Sequence, residues 1–210
     1  MISQAKKVLT ASALLFSTGL MAGFMYWPHS PIDLGEGNNM TKSGLYSSWD
    51  VGNVVVLVRH AERCDRSSHP CLDEKDGITE LGGKVSMDIG MSFKDLGLDH
   101  ADILSSPRTR TTQTARYLFG HSVDTQEWLD NCDSFALDDV VAHKASHRNL
   151  ILVTHSGCIS RLESQQGYTH AENSGYSSAL FLTLDAQGKA TIQGVLNPEG
   201  WEKIPKRNNY

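Results

Sequence analysis

Two unbroken apolar runs stand out along the chain: Val54 to Val58 (VVVLV) and Leu150 to Val153 (LILV). Short runs rich in β-branched residues, without polar alternation, are the pattern of strands buried on both faces of a parallel sheet. Ala101 to Leu104 is a shorter strand candidate. Ala179 to Leu184 and Ala190 to Leu196, joined across Gln187-Gly188, predict a terminal hairpin. Leu81, Val85, Ile89 and Phe93 recur at helical spacing within Thr79 to Leu96, and Thr109 to Phe119 and Ser134 to His147 are further helix candidates. Strands alternating with helices predict an α/β fold, a three-layer sandwich around a mostly parallel central sheet.

The pattern changes at the N-terminus. Lys6 and Lys7 precede a charge-free apolar run from Val8 to Trp27, the arrangement of an export signal. The run matches the roughly 20 residues that span a bilayer, and the best cleavage candidates, Leu20 and Ala22 before Gly23, fit a small-residue site poorly. Residues 1–27 are therefore expected to be a signal peptide or a membrane anchor, with anchoring by residues 8–27. Residues 28–50, rich in Gly, Pro, Ser and Asn with little periodicity, read as a flexible tether. The folded domain is expected to occupy residues 51–210.

Composition narrows the function classes. With 210 residues, 40% of them hydrophobic and 20% charged, the chain has enough apolar material for a core. A net charge of −5 disfavours nucleic acid as a partner, because bulk attraction has the wrong sign. Four cysteines in an exported chain fit two disulfides. Cys64 and Cys71 share the short loop ERCDRSSHPCL and form the simplest pair, which leaves Cys132 with Cys158; the other connectivities stay open. A metal site at Cys64, His69 and Cys71 lacks the usual zinc spacing. His143 and His147 stand at i and i+4 in a candidate helix but lack the glutamate of zinc proteases, so they read as a solvated face. No metal and no cofactor is expected.

Candidate chemistry lies at the strand ends. The first run exits into Arg59-His60-Ala61-Glu62-Arg63, the second into Thr154-His155-Ser156-Gly157, and the shorter strand into Ser105-Ser106-Pro107-Arg108-Thr109-Arg110. Open α/β sheets bind ligands outside the carboxyl ends of their parallel strands. Six of the nine arginines fall in the two segments around Arg59 to Arg66 and Arg108 to Arg116. Guanidinium forks match phosphate oxygens in charge and geometry, so the implied ligand is a phosphate. Neither a Gly-x-Ser-x-Gly elbow around Ser156 nor a Gly-x-x-x-x-Gly-Lys loop is present, which disfavours serine hydrolases and nucleotide hydrolases of those types.

The RHAER segment, Ile78-Thr79-Glu80-Leu81-Gly82, Ser105-Ser106 with Arg110-Thr111-Thr112-Gln113-Thr114-Ala115, and Thr154-His155 resemble, in order and spacing, the motifs of the histidine phosphatase (phosphoglycerate mutase-like) superfamily over residues 51–196. Within it, the ERCDRSSHPCL loop, the exported N-terminus, Cys132 and Cys158 are most similar to the periplasmic phosphatases of lipopolysaccharide core heptose phosphates. The resemblance implies a metal-independent phosphomonoesterase in the periplasm, soluble after cleavage or anchored to the inner membrane. Its partner would be a small phosphate ester or a lipopolysaccharide core phosphate. A non-catalytic phosphate-binding module and a phosphoprotein phosphatase of the same fold are the alternatives.

The resemblance also assigns roles. His60 would attack phosphorus and form a phosphohistidine, with Arg59, Arg110 and His155 around the transferring group. Arg63, Glu62, Thr154 and Ser156 would contact substrate. The proton donor matches best at Asp130, with Glu62 and Asp133 as rivals. Ala61 replaces the glycine commoner after Arg-His and is expected at the pocket rim. Arg108 and Arg116 read as helix-surface charges.

Overall fold

The computed structural model describes residues 30–169 and 171–204, so the apolar run of residues 8–27, expected as signal or anchor, lies outside the described residues. Two short helices, α1 (Asn39–Lys42) and α2 (Leu45–Asp50), precede strand β1 (Val54–Arg59). Helix α3 (Glu80–Leu96) leads into β2 (Ala101–Ser105), α4 (Thr109–Phe119) into the two-residue β3 (Asp124–Thr125), and α5 (Leu137–His143) into β4 (Asn149–Thr154). Helix α6 (Ser156–Gln165) follows, then the hairpin β5 (Ala179–Leu184) and β6 (Ala190–Leu196), and finally α7 (Pro198–Trp201). Among the described residues, no helix is long and apolar enough to cross a membrane.

The sheet order is β3-β2-β4-β1-β5-β6. The first four strands are parallel and the hairpin is antiparallel. Strand period two splits the central valines between two cores. Val54, Val56 and Val58 pack with Ile151 and Val153 under Ile89, Phe93 and Leu96 of α3 and Ala115, Leu118 and Phe119 of α4. Val55 and Leu57 pack with Leu150 and Leu152 against Val140 of α5 and Ile159 and Leu162 of α6. Burial of each such side chain stabilises by about 1.5–3 kcal/mol, and helices on both faces make the three layers. The two helices of the first face approach closely at Gly90, where a Cβ would stand 2.0 Å from the Leu118 carbonyl oxygen.

Two expectations need correction. From Ser30 onward the expected tether is part of the folded unit: Leu34, Met40, Leu45 and Trp49 are all buried in the core of Phe93 and Trp201. Leu34 N–H donates to the Val195 carbonyl at 2.8 Å, the Trp49 indole donates to the Gly97 carbonyl at 3.0 Å, and Asn149 bridges Val54 N–H and the Trp49 carbonyl. Leu34 sits in a turn, and Met40, Leu45 and Trp49 sit in helices of four and six residues, too short to display a period. The helix expected over residues 134–147 is α5 alone. It ends at His143, and His147 takes a positive φ of 57°, so the two histidines do not share a helix face; His143 stacks on Trp128 instead, at 4.6 Å.

Candidate active site

Register brings the site together. Arg59 pairs with Thr154 across β1 and β4, so the next residues, His60 and His155, leave the sheet side by side with ring centroids 5.4 Å apart. Ser105 ends β2 opposite Val153, and Ser106 N–H continues the ladder to the Val153 carbonyl at 2.9 Å. Arg110 lies in the first turn of α4, and His155 is the N-cap of α6. Two helix N-termini therefore point their positive ends toward one place. The motif residues of α4 pin the loops around it: Gln113 accepts from Ile78 N–H at 2.8 Å, and Thr114 accepts from Ala61 N–H at 2.9 Å.

His60 is held as a neutral imidazole. Burial pushes its pKa down to about 3, with neighbouring His155, Arg110 and Arg59 acting the same way against the Ala61 hydrogen bond. Nδ1 lies 2.8 Å from the Ala61 carbonyl oxygen; a carbonyl only accepts, so Nδ1 carries the proton and Nε2 keeps its lone pair. Arg59 donates through Nη1 to the Ser174 carbonyl and lies over the Tyr176 ring, 4.0 Å from its centroid. The Nε donors of Arg59 and Arg110 are both buried without a partner. Burial lowers the pKa of both guanidinium groups, and the charges of Arg63 and Arg108 add to the effect at Arg110. Two guanidinium charges near enough to act on an uncommitted imidazole suit an incoming anion.

His155 faces three partners. Its Nε2 lies 3.0 Å from the Ser106 hydroxyl and 3.2 Å from Asp130 Oδ1, and its Nδ1 lies 3.4 Å from Arg110 Nη2. Burial pushes its pKa down to about 4 in spite of Asp130. Asp130 is itself clamped: Arg108 Nε donates to both carboxylate oxygens at 2.8 Å, and that pairing holds the carboxyl below the usual range. Asp130 thus reaches the site as an ionised carboxylate that orients His155. A free-standing protonated acid, the role expected from its position, is opposed by Arg108, an exposed charge at the start of α4, as expected, that also clamps Asp130.

No family model matches the chain. The lipopolysaccharide core heptose(II)-phosphate phosphatase of Salmonella arizonae is 31% identical over 148 residues, 69% of this chain and 72% of that protein. The chain belongs to that family of histidine phosphatases. The Salmonella typhimurium protein of the same name is 30% identical over 149 residues, with the same coverage of 69% and 72%. The fold is shared with the protein histidine phosphatase SixA complexed with tungstate, at a TM-score of 0.55 and 19% identity over 69% of this chain and 97% of that chain.

The remaining expected site residues of this phosphatase divide. Ser156 sits half-buried in the first turn of α6, and Arg63 is near enough to depress Arg110 while it pairs with Asp65. Glu62 accepts from Thr79 at 2.8 Å and meets His69 Nδ1 at 2.9 Å; burial raises its pKa, but these contacts outweigh it and leave the carboxyl lowered. Thr154, expected to contact substrate, is fully buried, and its hydroxyl donates to the Leu129 carbonyl at 2.8 Å, fixing the turn before Asp130. Asp133 is exposed. Ala61 is fully buried with its methyl against Gly82 of α3, where glycine leaves room, and does not form the rim. Cys64 pairs with Cys71 and Cys132 with Cys158, so Cys64 and Cys71 are not thiolate ligands; among the described residues no group of His, Cys, Asp and Glu side chains could hold a metal. Tyr176 and Ser174 carried no sequence signal, because they reach Arg59 from a loop more than a hundred residues away.

Proposed function

We propose that this phosphatase removes a phosphate from a sugar of the lipopolysaccharide core, in the periplasm and without a metal ion. The observation that carries the mechanism is the buried neutral His60, with Nε2 uncommitted and the Arg59 and Arg110 charges near enough to act on the ring. The substrate class rests on the family, whose Salmonella members are named for heptose(II)-phosphate.

In the first step the His60 Nε2 lone pair forms a bond to phosphorus as the phosphorus–oxygen bond to the sugar breaks. Arg59 and Arg110 meet the charge on the equatorial oxygens. A bound phosphate adds negative charge beside His155 and favours its protonated form, so the His155–Asp130 pair holds the proton that the leaving sugar oxygen takes. In the second step water attacks the phosphohistidine, gives a proton back to that pair, and releases phosphate with His60 restored.

The test is a substrate panel with intermediate trapping. Rapid acid-free quenching with a lipopolysaccharide core oligosaccharide phosphate should leave phosphate on His60, detected by mass spectrometry, with turnover unaffected by chelator. No label on His60 overturns the mechanism. Faster turnover of a phosphopeptide than of the core oligosaccharide overturns the substrate assignment.

A further inference from the structure

A strap formed by residues 174–178, just before β5, holds both Arg59 and His60. The Ser178 carbonyl accepts from Arg59 N–H at 2.9 Å, and Ser177 N–H donates to the His60 carbonyl at 3.3 Å. At its other end the Ser174 carbonyl accepts from Arg59 Nη1. The strap also closes on itself, because Ser178 N–H and the Ser178 hydroxyl both donate to the Gly175 carbonyl, at 3.2 and 2.7 Å. Between these ties Ser177 takes a positive φ of 58° and is 2% exposed. A serine in the left-handed region persists only where its surroundings over-determine it, and the ties on either side do so here.

Tyr176 lies at the centre of the strap, half-buried. The guanidinium carbon of Arg59 is 4.0 Å from its ring centroid, and the His60 ring centroid is 5.7 Å away at an interplanar angle of 44°. Both contacts are made by the ring. An arginine side chain has several rotatable bonds, and one backbone acceptor leaves its fork free to swing about that bond. A ring face against the guanidinium removes this freedom and attracts the charge at the same time.

We propose that Tyr176 is a positioning residue: its ring, set in place by the strap, holds the Arg59 guanidinium where it meets the charge of the transferring phosphoryl group. This role rests on the proposed function and deepens it. Arg59 serves the transition state more than the bound ester, so a displaced guanidinium lowers kcat and leaves KM nearly unchanged. A misplacement of about 1 Å is enough to cost about a hundredfold in rate.

The experiment is steady-state kinetics of the full chain with an aryl phosphate, for the parent, Tyr176→Leu and Tyr176→Phe, each with and without Arg59→Ala, alongside NMR of the Arg59 guanidinium protons. Tyr176→Leu should lower kcat by about ten- to a hundredfold with KM within about threefold of the parent. Tyr176→Phe keeps the ring face and should restore kcat to within about threefold. In the Arg59→Ala background the leucine substitution should cost less than about twofold, because the ring then has nothing to hold. The ring should shift the Arg59 guanidinium protons upfield in the parent and in Tyr176→Phe. Parent-like kcat in Tyr176→Leu, an equal loss in Tyr176→Phe, or the same loss with and without Arg59 overturns the positioning role. The NMR arm needs only the parent, so it decides even where Tyr176→Leu does not fold: unshifted Arg59 protons overturn the contact and the role. A parent that shows the upfield shift and hydrolyses no phosphate ester overturns the proposed function, and the role with it, while the contact stands.

Discussion

Asp130 Oδ1 lies 3.2 Å from His155 Nε2, and Arg108 holds the same carboxylate from the other side. The three side chains form a line from the surface to the phosphoryl site. Asp130→Asn removes the charge that opposes the lowering of the His155 pKa, so the proton for the leaving group is held less well. Loss of about a hundredfold or more in kcat is expected for an alkyl phosphate, in the range of general acid catalysis. An aryl phosphate with a stable leaving anion should lose much less. Equal losses with both substrates would sink the proton-transfer role of the pair.

His60 has no structural partner that its removal would strand, apart from the Ala61 carbonyl. His60→Ala should therefore lower turnover by more than about a thousandfold, as for removal of a nucleophile, and leave the circular dichroism spectrum and melting temperature near those of the parent. A variant that keeps a tenth of the parent activity would rule out nucleophilic attack by His60.

The two site histidines make stability depend on pH. Their folded values are lowered to about 3 and about 4, against about 6.5 in an unfolded chain. Below about pH 6.5 the unfolded state binds protons that the folded state refuses, so the stability they leave intact at pH 7 is lost as pH falls toward 4. Urea unfolding of His155→Gln between about pH 7.5 and 5 should show a shallower decline than the parent. The same neutrality predicts that kcat/KM for an aryl phosphate has no acidic limb near pH 6.5, since free His60 is already deprotonated there.

The segment before β1 is integral to the domain. Trp49 is 4% exposed, packs 6.4 Å from Phe93 between ring centroids, and donates to the Gly97 carbonyl. Trp49→Ala should cost about 3–5 kcal/mol in denaturant unfolding, the range for a large buried aromatic. A chain shortened to begin at Val51 should fail to fold, whereas one beginning at Ser30 should give a cooperative transition.

The Cys132–Cys158 disulfide ties the turn that carries Asp130 to the first turns of α6, which His155 caps. Its closed loop spans a sequence separation of 26, and losing it through Cys132→Ala with Cys158→Ala should cost about 2–4 kcal/mol. Activity should fall as well, because the turn and the helix hold the His155–Asp130 contact between them. Unchanged kcat in the double variant would show that the contact stands without the crosslink.

Much of the site was legible from residue order. Strands buried on both faces announce themselves as unbroken apolar runs, because no position along them can be polar, and the residues that follow such runs must emerge at the sheet edge where ligands bind. That reasoning places Arg59, His60, Arg110 and His155 together before any coordinates are known. Signals of this kind fail for short elements. The helices of residues 39–50 complete the first core with Met40, Leu45 and Trp49, three buried residues that follow no period, and so they resemble a linker until Phe93 and Trp201 are seen beneath them.

The sequence by itself determined the sandwich, the chemistry of its catalytic end and the phosphate as ligand, because periodicity and local residue type are properties of neighbours along the chain. Only the tertiary structure decided what each charged group does there. Arg108 becomes a clamp because Asp130 comes within 2.8 Å of it, Thr154 commits its hydroxyl to the Leu129 carbonyl, and Tyr176 arrives beneath Arg59 from a distant loop. Ionisation, pairing and burial depend on distances between residues far apart in the chain, and those distances are set by packing.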